Sequence, residues 1–386
     1  MRLPQRLQPE WSEGGIMISW DVRLAAMVGR GQFHTFDLLR VLAAFGVLFS
    51  HVFLVTGRTG GTFGAAVLGL FAVRLFFVIS GFLVAKSWVS SGSFTTFARN
   101  RVLRIFPGLA VVTLVSTFAL GPLFTTLPLN AYFHDPATYR YLLSAALDNQ
   151  RGLPGVFTEN LHSGLLNGSL WTIPYEFAMY GVLAACGLIT GRHFRWAILA
   201  IYMLMVTGCI FYLQFLSAPP QLRELEEHAL DFGAYFFGGA TIWCFREVVV
   251  LRGSLVALCC AALILRNALG IDAIVWNLAL PYIAIWIGMQ PAPGWTAHFQ
   301  RNDYSYGLYI WAFPIQQAVV SLIGPGSFML NLLLASAAAF AAAALSWHLV
   351  ERPFLALKTR RRTTLRPPAQ VREAPEALPD QDGAPR

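Results

Sequence analysis

Charge is scarce in this 386-residue chain: Asp, Glu, Lys and Arg make up 12% of it, against 56% hydrophobic residues. A soluble globular domain carries about a quarter charged residues, so most of the chain is read as lying in lipid. Cysteine is equally thin. The thiols of Cys186, Cys209, Cys244, Cys259 and Cys260 all fall inside apolar runs and make no CxxC spacing, which argues against a disulfide framework and against a zinc site; no metal is expected. The segment ahead of residue 36 holds no apolar core followed by a small-residue cleavage site, so no secretory signal peptide is expected, and Met17 offers an alternative start. Neither a repeat of solenoid period nor a second soluble domain is evident.

What the chain does have is apolar runs. They lie near 36–56, 63–89, 105–124, 172–190, 196–215, 229–250, 271–289, 304–323 and 328–349, each with about the 20 residues that cross a bilayer. A weaker run near 254–270 is interrupted by Arg266. The expected fold is therefore an all-α polytopic membrane protein of about ten transmembrane helices with both termini cytoplasmic. On that topology 21 Lys and Arg residues fall inside and only Arg58, Arg140, Arg151, Arg223 and Arg266 outside, while Arg40 and Arg74 stay within the membrane. This positive-inside bias suits a bacterial cytoplasmic (inner) membrane and explains the net charge of +8 without nucleic acid. The expected organisation is a cytoplasmic N-terminal segment, 1–35, a transmembrane domain, 36–350, and a tail, 351–386. That tail is rich in proline and carries Arg360-Arg361-Arg362, a composition suited to a disordered stretch touching anionic headgroups. The long connection 125–170 falls outside and is placed to cover an external site.

Ionisable side chains inside a spanning helix are costly, so each is a candidate for function. Arg40 and His51 are eleven residues apart, which puts them on nearly one helix face about 16.5 Å apart along the axis. A neutral imidazole can take a proton from a hydroxyl near neutral pH, and a guanidinium suits an anion. A snorkelling arginine and a structural histidine would look the same. Arg101 and Arg104, three apart with Pro107 behind them, suit a phosphate at a helix N-terminus, although ordinary cytoplasmic anchoring also places arginines there. Glu176, following Asn167-Gly168-Ser169-Leu170-Trp171, is expected in the same outer third of the membrane as His51. A carboxylate there can orient the imidazole or bind acceptor hydroxyls. The Ser80-Gly81 pair reads as a helix-packing site, the aromatics of 304–313 as an interfacial belt, and Glu351-Arg352-Pro353 as the end of the last span.

Taken in order, Asp37-Leu38-Leu39-Arg40 with ten residues to His51, Phe76-Phe77-x-x-Ser80-Gly81-Phe82, Arg101-x-x-Arg104, Asn167-x-Ser169-Leu170-Trp171 with Glu176, Ser305-Tyr306-Gly307-x-Tyr309 and Glu351-Arg352-Pro353 resemble the acyltransferase-3 family of membrane acyltransferases. The resemblance covers about 37–353, and Ala312 stands where the family usually has a histidine. It implies acyl-CoA, usually acetyl-CoA, as co-substrate and a hydroxyl of a surface or secreted polysaccharide, lipopolysaccharide or related glycan as acceptor. By that resemblance Arg101 and Arg104 hold the coenzyme A phosphates, Arg40 guides the donor, and His51 with Glu176 activates the acceptor. A transporter or flippase for a lipid-linked sugar is the competing expectation, because intramembrane charges and a long external loop serve transport too. A non-catalytic scaffold of an envelope-synthesis complex is a third.

Overall fold

The computed structural model describes residues 22–29, 34–58, 62–215, 220–269, 272–291, 294–296 and 302–358. Most of the N-terminal segment and the tail beyond Lys358 lie outside the described residues. The main helices are α1 (His34–Val55), α2 (Thr62–Ser91), α3 (Phe94–Val115), α4 (Ile173–Thr190) and α5 (Phe194–Phe215). They continue with α6 (Pro220–Cys244), α7 (Gly253–Leu269), α8 (Asp272–Gly288), α9 (Ser305–Ile323) and α10 (Phe328–Ser346). A two-residue ribbon pairs Val22–Arg23 with Val250–Leu251 and ties the segment before α1 to the α6–α7 connection.

Six helical segments among the described residues are long and apolar enough to cross a membrane: Thr35–Val55, Gly64–Ser91, Phe94–Phe124, Leu170–Phe211, Ser305–Ile323 and Phe328–Ala356. The protein is thus a mostly helical, multi-pass membrane protein. Their outward faces stay apolar, with Ile189 83% and Leu322 73% exposed, as expected where lipid rather than water is the solvent.

The centre of the bundle is the crossing of α2 and α6. Gly81 and Gly239 permit it: a methyl group at 81 would overlap the Phe236 carbonyl, and one at 239 the Val78 carbonyl. Removing the side chain brings the two backbones into direct contact, the usual route to tight helix packing in lipid. On the other side α1 packs between α2 and the α9–α10 pair, where Ala44, Leu48, Leu308, Ala312, Ala339 and Ala343 form a buried small-residue seam.

Two helix boundaries differ from the expectation. Ser93 caps α3 by accepting from the Thr96 amide, so Arg101 and Arg104 sit in the second and third turns and Pro107 lies inside the helix. The orphan amides of a helix N-terminus, confined to the first turn, are therefore not available to an anion held by these arginines. At the other end of the chain, Glu351-Arg352-Pro353 does not stop the helix. A π turn, Trp347–Glu351, leads into Arg352–Ala356, where proline at the start of a new helical stretch needs no amide partner.

The long connection descends into the bundle along α9 rather than lying across its end. The Gln317 side chain donates to the carbonyls of His162 (3.0 Å) and Leu165 (2.7 Å), and Asn160 donates back to Gln317 at 2.9 Å. Further down, Asn167 Nδ2 donates to the Ile310 carbonyl at 2.9 Å, and the hydroxyls of Thr172 and Tyr309 meet at 2.6 Å. These buried polar contacts hold the start of α4 at the level of Tyr309.

Candidate active site

A cavity of about 230 Å³ lies between α2, α3, α4 and α9. Its α2 wall runs from Val73 through Phe76, Phe77 and Ser80 to Val84, about 16 Å at 1.5 Å per residue. Arg40, Arg101, Arg104 and Lys358 all line it. Arg101 reaches Ser87 at 3.3 Å, one turn past Val84, and Arg99 donates to the Leu357 carbonyl at 2.9 Å, which places Arg101 and Lys358 at the Val84 end. Phe76, Phe77 and Thr172 mark the opposite end.

The four cations are not equivalent. Asp303, just before α9, accepts from Arg40 at 2.6 Å and from Arg104 at 2.5 Å through the same oxygen, while its other oxygen accepts from the Ser305 hydroxyl at 2.5 Å. Burial opposes ionisation of Asp303, but the Arg104 and Arg40 guanidiniums outweigh it and hold the carboxyl well below the usual range. Glu351, buried and bonded to Ser346, stands 3.9 Å from Arg104. Arg40 and Arg104 therefore have their charge met inside the protein. Arg101 has no carboxylate within ion-pair distance among the described residues. Its Nε has no hydrogen-bond partner, and its guanidinium lies over the Phe97 and Tyr180 rings. Lys358 likewise has no carboxylate within ion-pair distance among the described residues: burial, then the charges of Arg101 and Arg104, push its amino group down to about 7 against the weaker pull of Asp303. An anion entering this end meets Arg101 and Lys358 as its unneutralised partners.

Glu176 lines the same cavity, in the first turn of α4. Ser80 Oγ donates to it at 2.5 Å, Tyr180 donates to the same oxygen, and Ser80 and Tyr180 lie 3.1 Å apart. No hydrogen bond joins Glu176 to His51 among the described residues. The expectation that the two share a level fails because the descending connection lowers the start of α4 to Tyr309, one turn below Phe313. His51 packs its ring edge-on against Phe313 at 5.0 Å, and its Nδ1 is buried without a partner. It does not line the cavity. The structure thus gathers Arg40, Arg101, Arg104 and Glu176 around one space and sets His51 a helical turn beyond it, behind Phe313.

Two of the aromatics read from sequence as an interfacial belt, Tyr306 and Tyr309, are cavity wall. Tyr306 donates to the Ile105 carbonyl at 2.7 Å and carries the Arg104 guanidinium over its ring, and Tyr309 meets Phe76 edge-on at 5.6 Å.

Comparison with known proteins bears on what this cavity serves. A family model described as an acyltransferase domain matches residues 33–351. The chain belongs to the acyltransferase-3 family. It is 32% identical over 325 residues to a protein named O-acetyl transferase from Shigella phage Sf6, covering 83% of this chain and 95% of that one. It is also 28% identical over 362 residues to Nodulation protein 10 of Rhizobium leguminosarum bv. viciae, covering 85% and 95% respectively. No solved structure matches it.

Within this acyltransferase, sequence reasoning missed Asp303, Lys358 and the Ser80–Tyr180 pair. Asp303 stands two residues before the Ser305-Tyr306-Gly307 motif, and the nearer acid, Asp37 in the first turn of α1, drew attention away from it as the partner of Arg40. Lys358 was concealed among the basic residues of the tail. Ala312, where the family usually carries a histidine, faces the α1–α10 seam and not the cavity.

Proposed function

We propose that this acyltransferase moves an acyl group, acetyl in the first instance, from cytoplasmic acyl-CoA to a hydroxyl of a surface or secreted glycan or glycolipid precursor. In this reading α1 to α10 each cross the bacterial inner membrane, the termini and the Val84 end of the cavity face the cytoplasm, and the 125–170 connection faces outward. The observation that carries it is one cavity with two unneutralised cations, Arg101 and Lys358, at one end and a closed end a single turn short of His51. The name of the phage relative supports acetyl.

Coenzyme A phosphates bind Arg101 and Lys358, while the pantetheine arm follows the apolar wall past Phe76 and Phe77. Arg40 and Arg104, locked by Asp303, keep the entrance in shape. Glu176, by holding Ser80 and Tyr180, fixes the wall beside the thioester and acts as a positioning residue. When the Phe313 ring swings aside, the acceptor hydroxyl gives its proton to the His51 imidazole and its oxygen attacks the thioester carbonyl. The C–S bond breaks and the imidazolium returns the proton to the leaving thiolate. General base catalysis of this kind contributes about 10²–10⁴-fold.

The experiment is mass analysis of ester-linked acyl groups on envelope and secreted glycans from a deletion strain carrying wild type or His51→Ala. The proposal expects loss on deletion, rescued by wild type alone. Unchanged acylation with altered glycan export would replace it with transport.

A further inference from the structure

A second cavity, about 140 Å³, lies between α2, α5, α6 and α8 and has no part in the donor path. Arg74, one of the two arginines within the membrane, pairs with Asp231 there through two parallel bonds of 3.0 Å. Glu227, His228, Asp272 and Trp276 also line it. Arg74 is neutralised by Asp231 and Asp272 is met by Arg266 at 2.5 Å, so among the described residues Glu227 leaves the site acidic. That balance disfavours phosphate, and hence the acyl donor, yet it offers donors and acceptors converging beside an indole face. Such a set suits a neutral ligand rich in hydroxyls.

The surroundings say where that ligand comes from. Phe77, Phe232 and His228 form a continuous stack, with rings 4.6 Å apart at 10° and 5.6 Å apart at 11°, and this wall shuts the second cavity off from the donor cavity. Trp171 packs on His228 at 4.7 Å and also lines the open cavity formed by the descending connection. Gly168, in that same open cavity, lies against Phe313, the ring on which His51 packs edge-on.

We propose that the Arg74–Asp231 cavity is a recognition subsite for one pyranose ring of the acceptor, next to the ring that is acylated. The glycan lies across Trp171, one residue in this cavity and its neighbour above Gly168 and Phe313. This rests on the glycan acceptor proposed above. It adds that acceptor recognition is divided between two sugar positions, only one of which meets His51.

The test uses the full-length protein in lipid nanodiscs, with coenzyme A thiol release from acetyl-CoA as the readout and two probe classes. These are methyl pyranosides and disaccharides of glucose, galactose and rhamnose. The key variant is Arg74→Met with Asp231→Leu, since replacing both members of a buried ion pair by apolar groups is close to neutral for stability. The expected result is a rise of about 10-fold or more in the disaccharide KM, with the methyl pyranoside KM and the acetyl-CoA KM unchanged. Glu227→Gln, which keeps the ion pair, moves the disaccharide KM the same way and serves if the double variant is unstable. Equal stimulation of wild type and Glu227→Gln, or of wild type and a folded double variant, by disaccharide overturns the subsite alone. Failure of every saccharide to stimulate wild type overturns the glycan acceptor and the subsite with it.

Discussion

Asp303→Ala removes the shared counter-ion of two guanidiniums, because Arg40 and Arg104 bond the same carboxylate oxygen at 2.6 and 2.5 Å. The three side chains are 19%, 14% and 18% exposed for Arg40, Arg104 and Asp303, so water screens them little. Breaking a buried pair by deleting one partner costs about 3–5 kcal/mol. Glu351 remains near Arg104 and takes part of its charge, which sets Asp303→Ala near the lower limit, about 3 kcal/mol. Arg104→Met is worse, about 4–5 kcal/mol, because it strands buried Glu351 and leaves Asp303 with Arg40 alone of its two guanidiniums. Arg40→Met leaves Asp303 bonded to Arg104 and Ser305 and costs about 1–2 kcal/mol, one charged hydrogen bond. The assay is denaturant unfolding in detergent followed by tryptophan fluorescence, with the variants ranked by free energy. The pH dependence has a definite sign. A carboxyl held below its ordinary 3.8 in the folded state contributes stability that is complete above that value and is lost as pH falls below it. Asp303 therefore accounts for none of any stability change between about pH 8 and pH 5. Finding Asp303→Ala as stable as wild type, or Arg40→Met costlier than Arg104→Met, would refute the network described here.

Three further outcomes are expected. Gly81→Ala, which drives a methyl group into the Phe236 carbonyl, separates α2 from α6 and destabilises the bundle by about 1–3 kcal/mol or more, read in the same unfolding assay. Lys358 carries its charge below about 7 and loses it above, so the KM for acetyl-CoA rises as pH goes from 6 to 9 in steady-state assays. Lys358→Arg, which stays charged throughout, flattens that dependence. Phe313→Ala removes the ring packed against His51 and opens the space between His51 and the cavity to water, so acetyl-CoA hydrolysis without acceptor increases several-fold, about 1 kcal/mol off the barrier, as measured by thiol release.

Much of the helical architecture was legible because hydrophobic run length is set by the bilayer, and α2, α5, α9 and α10 begin and end within a few residues of their apolar runs. Gly81 was legible for a related reason: a small residue in a lipid-embedded helix has few uses besides close approach. Arg40, Arg101, Arg104 and Glu176 stood out as charges in apolar surroundings, and all four line the cavity. Direction around the helix axis and depth were not legible. The descent of the 125–170 connection depends on polar contacts such as Gln317 with Leu165 and Asn167 with Ile310, which join residues more than a hundred positions apart, and it decides that Glu176 meets Ser80 and not His51. Pairing was hidden in the same way, since Asp303 neutralises Arg40 from 263 positions away, while Arg101 has no carboxylate within ion-pair distance among the described residues.

The decisive measurement uses sealed membrane vesicles that contain the protein and its native glycans, given acetyl-CoA labelled in the acetyl group at the face toward which the Val84 end of the cavity lies. Labelled ester is expected on the glycan with wild type and none with His51→Ala, together with a raised acetyl-CoA KM with Arg101→Ala. Labelled glycan at the wild-type rate from His51→Ala would contradict transfer through His51.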